Sequence, residues 1–178
     1  MTERIVRVFN DCFAAPQALN TCLVGGHTEP FYRPATAPGE CHRIEFSYDY
    51  PASALHEAAH WCVAGEQRRQ LPDYGYWYAP DGRSEAQQIE FERVEVKPQA
   101  LEWIFSRACG MSFRVSADNL DAGLGPSDSF RHDIWQQVQR NCLVGLNARA
   151  RLFAQSLAAA FRQPDPLQPG SYRLEDLR

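Results

Sequence analysis

The run His56-Glu57-Ala58-Ala59-His60 is the strongest chemical signal in the chain. On a helix, residues four apart lie about 40° apart around the axis, with Cβ atoms roughly 5–6 Å apart. Two imidazoles so placed can hold one metal ion, because zinc–nitrogen bonds are about 2.0–2.1 Å long. Two alanines between the histidines keep the helix strong and leave space beside an ion. The bland alternative is a pair of satisfied helix histidines flanking a surface glutamate.

A centre needs a third donor. The segment QQIEFERVEVKPQALEW offers Glu90, Glu92, Glu95 and Glu102. Its apolar stripe at helical spacing is Phe91, Val94, Pro98, Leu101 and Phe105. Glu95 borders that stripe, whereas Glu92 sits about 60° further towards solvent. A carboxylate at a core boundary is costly unless it is paired or metal-bound. Glu95 is therefore the expected third ligand, with Glu92 behind it or in its place. An ordinary solvated acidic face is the competing reading. Cys62 is not expected to ligate, since it lies about 200° around the helix from His60.

Two histidines and one carboxylate admit two chemistries. Zinc with Glu57 as general base hydrolyses amides through a bound water. Fe(II) on the same donors leaves positions open for dioxygen and supports oxygenation. A second His-x-acid set, His27-Thr28-Glu29 completed by His42 or His132, is short and sits beside Pro30. Loop polar residues are the preferred reading there.

Positioning these groups requires helices. Pro51 at a first turn and Gly65 at the far end bracket a helix over 51–64. Ser84 suits the cap of a long helix ending at Cys109-Gly110, which Pro98 should kink or split. Apolar spacing predicts helices over 3–14, 127–144 and 147–162. Alternation of Ile44, Phe46 and Tyr48 against Arg43, Glu45 and Ser47 predicts a half-buried strand over 43–49. Residues 21–24, 74–79 and 113–115 read as further strands, and 27–42 as loop. The expected fold is one α+β domain over 1–178. A helical layer packs on a small mixed or antiparallel sheet, and residues 164–178 form a loosely packed tail.

Composition narrows the function. Formal charge is −4 and the sequence pI is about 5.7, with no basic stripe, which argues against nucleic acid as a direct partner. No apolar run approaches the ~20 residues needed to span a bilayer, so no membrane role is expected. Six cysteines without a C-x-x-C pair, and an amphipathic N-terminus, fit a cytoplasmic protein with reduced thiols. Of 18 basic residues, 17 are arginine and one is Lys97. Arginine cannot always replace lysine at a tight site. Lys97, two residues past Glu95, is thus expected to pair with a carboxylate near the metal helix.

Several segments together resemble a known family. HEAAHWCVAG, GYWYAPDGR, FERVEVKPQALEW and SADNL, with the upstream FNDCF, EPFYRPA and RIEF, are similar to bacterial elongation factor P hydroxylases. The likeness covers roughly residues 8–120 and is weaker beyond. It implies hydroxylation of a lysine of elongation factor P that already carries a β-lysyl group. It also implies a metal on a zincin-like helix, held by His56, His60 and one glutamate of FERVE, with Glu57 handling a proton or orienting groups. Fe(II) and dioxygen are the implied cofactor and co-substrate. No arginine or lysine stands out as a clamp for 2-oxoglutarate. The dense block around Asp73, Tyr76, Asp81 and Arg83 would line a groove for a long cationic arm, since carboxylates and aromatic faces attract ammonium groups. A core strand with aromatic alternation is the competing reading.

Overall fold

The computed structural model describes residues 1–75, 84–116 and 125–177. Its helices are α1 (Thr2–Phe13), α2 (Pro51–Val63), α3 (Glu85–Ala108), α4 (Asp128–Val144) and α5 (Ala148–Phe161). Strands β1 (Thr21–His27), β2 (Phe31–Arg33) and β3 (His42–Ser47) form one mixed sheet in the order β1-β3-β2. β1 runs parallel to the central β3, and β2 runs antiparallel to it. The fold is therefore α+β.

Helix boundaries follow local chemistry. Pro51 starts α2 where its missing N–H costs nothing. Ser84 caps α3 through a reciprocal box: Gln87 N donates to Ser84 Oγ at 3.4 Å, and Ser84 N donates to Gln87 Oε1 at 2.9 Å. Asn147 caps α5, and its side-chain amide also donates to Cys62 O at 3.0 Å. Arg149 adds bonds to Cys62 O and Ala64 O at 3.0 and 2.7 Å. The start of α5 thereby satisfies the carbonyls that α2 leaves open at its C-terminus.

The core side of α2 is held by aromatic packing. Trp61 meets Phe9 and Phe13 with ring centroids 5.3 and 4.8 Å apart, and Phe153 links Phe9 to Phe105 at 5.2 and 5.0 Å. Each such pair contributes about 0.5–1.5 kcal/mol beyond its buried area. Ala58 and Ala59 are fully buried, so their lack of bulk brings neighbouring elements close. One face of α2 is thus locked in the core while His56 and His60 turn towards α3.

Several expectations change. Pro98 does not split α3, which is one helix over 24 residues. Residues Pro98 to Ser106 are all buried, and that burial outweighs one lost backbone bond. The strand expected over 74–79 begins instead as a 3-10 turn, Pro72–Gly75, and residues 76–79 lie outside the described residues. Asp73 and Tyr74 carry φ of 48° and 58°, a left-handed pair that no strand continues through. β2 falls inside the expected 27–42 loop. Residues 113–115 form no strand, although Phe113 packs on Trp103.

On β3, Glu45 was expected at the polar face yet is only 3% exposed. Arg33 covers it, donating from Nε at 3.0 and 3.1 Å. Tyr48, expected on the core side, lies past the strand end at φ 50° and is exposed. The tail also packs more tightly than expected. Tyr172 and Leu177 are buried, and Trp135 Nε1 donates to Tyr172 O at 3.1 Å.

Candidate metal centre

α2 and α3 bring three donors together. His60 Nε2 lies 3.0 Å from His56 Nε2 and 3.1 Å from Glu95 Oε1, and His56 Nε2 lies 3.7 Å from Glu95 Oε2. Donors bonded to one ion at roughly 2.1 Å stand about 3.0 Å apart at right angles and about 3.4 Å apart at tetrahedral angles. The three separations bracket those values, so the donor set fits one divalent cation. Among the described residues this is the one cluster of three metal-competent side chains. The alternative set on β1 is not assembled: His27 Nδ1 faces Glu45 at 3.7 Å, and His42 Nδ1 accepts from Ala35 N at 3.0 Å.

Two of the three candidate donors, His56 and Glu95, are held from behind. Glu102 Oε2 and His56 Nδ1 are in hydrogen-bond contact at 2.8 Å. Gln99 Nε2 donates to Glu95 Oε2 at 3.2 Å and to Ser116 O at 2.7 Å, while Ser116 N donates back to Gln99 Oε1 at 3.1 Å. Glu95 and Gln99 are 3% and 1% exposed. A carboxylate this buried is stable only because every side is answered.

Electrostatics follow the same pairings. Burial alone would push His56 down, but the Glu102 hydrogen bond and charge, with Glu95 and Glu57, raise it to about 10. Burial pushes Glu95 up, yet His60, His56 and Gln99 bring it down to about 2. Burial raises Glu102, partly offset by His56. A cation taking the His56 Nε2 lone pair must therefore displace a proton. Metal affinity should fall as pH falls, and metal uptake should release about one proton near neutral pH. Calorimetry in buffers of different ionisation heat measures that proton. Uptake with no proton release would contradict it.

Glu57 is adjacent in chain and charge. Burial raises its carboxyl, while His56 and His60 lower it and Asp73 and Glu95 push it further up. Asp73 lies close by on the Pro72–Gly75 turn. Burial raises it, and the Tyr32 backbone and His60 pull it back. The turn is pinned by Tyr74, whose ring stacks on Tyr32 at 4.4 Å, and by Arg68 Nη1, which donates to Tyr74 O at 3.1 Å. Two successive non-glycine residues in the left-handed region cost of order 1–3 kcal/mol each, and such strain clusters at functional sites. A cavity of about 510 Å³ opens beside His60, with Val63, Ala64, Val94 and Pro98 as apolar wall and Glu66 and Arg68 at its polar side.

Other expected site residues lie elsewhere. Glu92 accepts from Ser127 Oγ at 2.6 Å and from Ser127 N at 3.3 Å, so it ties α3 to the start of α4. Lys97 is exposed in a groove of about 460 Å³ between α3 and α4, roughly 200° around the helix from Glu95. Among the described residues it makes no ion pair. Lys97→Arg is expected to leave metal content unchanged, as measured by elemental analysis. Tyr76, Asp81 and Arg83 lie outside the described residues. Glu102 was among the four glutamates offered by the sequence but was given no role, and Gln99 was not named. The seven-residue spacing from Glu95 to Glu102, which repeats one helix face, was the available signal.

A metal-competent His-His-Glu set between two helices of an α+β fold is the site of a candidate metalloenzyme. The family model described as elongation factor P hydroxylase matches residues 8–172. A protein named elongation factor P lysine hydroxylase from Haemophilus influenzae is 46% identical over 165 residues, which is 93% of this chain and 92% of that protein. The chain belongs to the elongation factor P hydroxylase family. The match reaches past residue 120 through α4 and α5, further than the sequence motifs alone indicated. Nothing in these matches supports the peptidase alternative.

Proposed function

We propose that this chain is a metal-dependent monooxygenase that hydroxylates a lysine side chain of elongation factor P, the lysine already carrying a β-lysyl group. Family membership along nearly the whole chain supports the activity and the protein substrate. The observation that carries a metal mechanism is the convergence of His56, His60 and Glu95 on one point. The whole chain acts as one hydroxylase domain, working in the cytoplasm where elongation factors are used. No described helix is long and apolar enough to cross a membrane.

Fe(II) on two imidazoles and one carboxylate would supply open positions for activating dioxygen. One oxygen atom enters a C–H bond of the lysine arm. The other leaves as water, using two electrons and two protons from a reductant. 2-Oxoglutarate has no part in this reading.

The protein's own groups do the rest. His56, His60 and Glu95 hold the cation. Glu57 moves a proton beside it. Asp73 receives an ammonium group of the arm, with Tyr76, Asp81 and Arg83 completing the groove. The apolar wall beside His60 suits the methylenes of a lysyl chain. The test is to incubate the protein with β-lysylated elongation factor P, Fe(II), a reductant and air, then weigh the modified peptide. A gain of one oxygen atom supports the reading. No gain, combined with stoichiometric zinc and cleavage of a test peptide, overturns it.

A further inference from the structure

We propose that Glu102 is the positioning residue of the metal centre: it holds His56 as the Nδ1–H tautomer, so that Nε2 stays turned to His60 and Glu95. This rests on the reading of His56, His60 and Glu95 as metal ligands.

The geometry comes from two helices running in opposite directions. His60 meets Glu95 while His56, one turn earlier, meets Glu102, later in α3. Glu95 and Glu102 are seven residues apart, hence about 20° from alignment on one face and roughly 10.5 Å apart along the axis. One helix face therefore supplies a ligand at one end and a brace at the other. The brace is short, 2.8 Å from Glu102 Oε2 to His56 Nδ1.

An imidazole has two nitrogens and can present either after a ring flip. A carboxylate accepting at Nδ1 fixes both the flip and the proton. Once a cation displaces the other proton, the lone pair that binds it is the one on Nε2, the atom 3.0 Å from His60 Nε2. Among the described residues no second carboxylate braces His60 in this way. The burden of orientation falls on the His56–Glu102 pair.

The location of Glu102 argues that it is retained for this purpose. It is 8% exposed, and its neighbours Leu101, Trp103, Ile104 and Phe105 belong to the core. An apolar residue there would extend the packing without a desolvation cost. A buried pair serving stability alone would alter unfolding but leave the metal equilibrium of folded protein unchanged. Outer partners of ligating histidines typically contribute 10–100-fold to metal affinity.

The experiment uses the full chain and Zn(II) as probe. Dissociation constants come from chelator competition for wild type, Glu102→Ala and Glu102→Gln. Long-range nitrogen–proton NMR of the zinc-loaded protein reads the His56 tautomer. Glu102→Ala should bind zinc roughly 10–100-fold more weakly. Glu102→Gln should recover most of that loss, because its amide oxygen accepts the same bond. Wild type and Glu102→Gln should both show a proton on His56 Nδ1 and zinc on Nε2. Unchanged affinity in folded Glu102→Ala overturns the proposal, as does His56 bound through Nδ1, or glutamine as weak as alanine. Should Glu102→Ala fail to fold, the tautomer in wild type and Glu102→Gln decides. A wild type that binds no divalent metal overturns the centre itself. A wild type that binds zinc beside an equally tight Glu102→Ala overturns only the role of Glu102.

Discussion

Glu95→Gln is expected to abolish stoichiometric metal binding and hydroxylation, whereas Glu92→Gln keeps both and loses stability instead. Glu95 is buried with an oxygen 3.1 Å from His60 Nε2 and the other 3.7 Å from His56 Nε2. Its charge is the only carboxylate charge within the donor triangle. An amide there retains an oxygen but loses the charge that balances a divalent ion. The loss should exceed the roughly 10–100-fold typical of groups behind a ligand. Glu92, one turn earlier, spends both oxygens on Ser127. Its amide variant weakens charge-assisted bonds that anchor α4, at a cost of about 1–2 kcal/mol. Elemental analysis, peptide mass and denaturant melts separate the two effects. Metal retained in Glu95→Gln but lost in Glu92→Gln would move the ligand one turn.

That choice between two glutamates was legible in sequence because it depends on position around one helix. The stripe Phe91, Val94, Pro98, Leu101 and Phe105 placed Glu95 at the core boundary, and α3 buries it there. The histidine pair was legible for the same reason, as were the caps Ser84 and Asn147. What depended on pairing between distant segments was not. Glu102 acquires its role only when α2 and α3 run in opposite directions, a relation absent from either segment alone. Glu45 reads as a polar-face residue until Arg33, 12 positions earlier, folds over it. Pro98 reads as a break by local rules, and core burial overrides them. Tyr74, expected to open a strand, sits instead in a 3-10 turn, because a pattern of side chains carries no record of left-handed backbone. Asp73 nevertheless lies within electrostatic reach of His60 and Glu57, so its neighbourhood was legible. Lys97 stood out only by composition, and its exposed place in the groove by α4 offers no metal-side role.

Glu57→Gln is expected to leave metal content intact and to lower the hydroxylation rate by about 10²–10⁴-fold. Glu57 is not among the three converging donors, and His56, His60 and Glu95 keep their mutual contacts and braces without it. Metal retention follows. Yet its carboxyl feels the charges of both histidines, Asp73 and Glu95, so it lies within electrostatic reach of the donor triangle. An amide of the same shape preserves packing on α2 and removes the capacity to accept a proton. The loss should therefore appear in kcat more than in KM, since the proposed reading gives reception of the substrate arm to Asp73 and not to Glu57. Asp73→Asn supplies the contrast, with KM raised and metal content unchanged. Steady-state kinetics on β-lysylated elongation factor P, with elemental analysis of each variant, measure both. Near-wild-type turnover in Glu57→Gln would remove Glu57 from the chemistry. Loss of metal in that variant would make it part of the cation's support rather than a proton carrier.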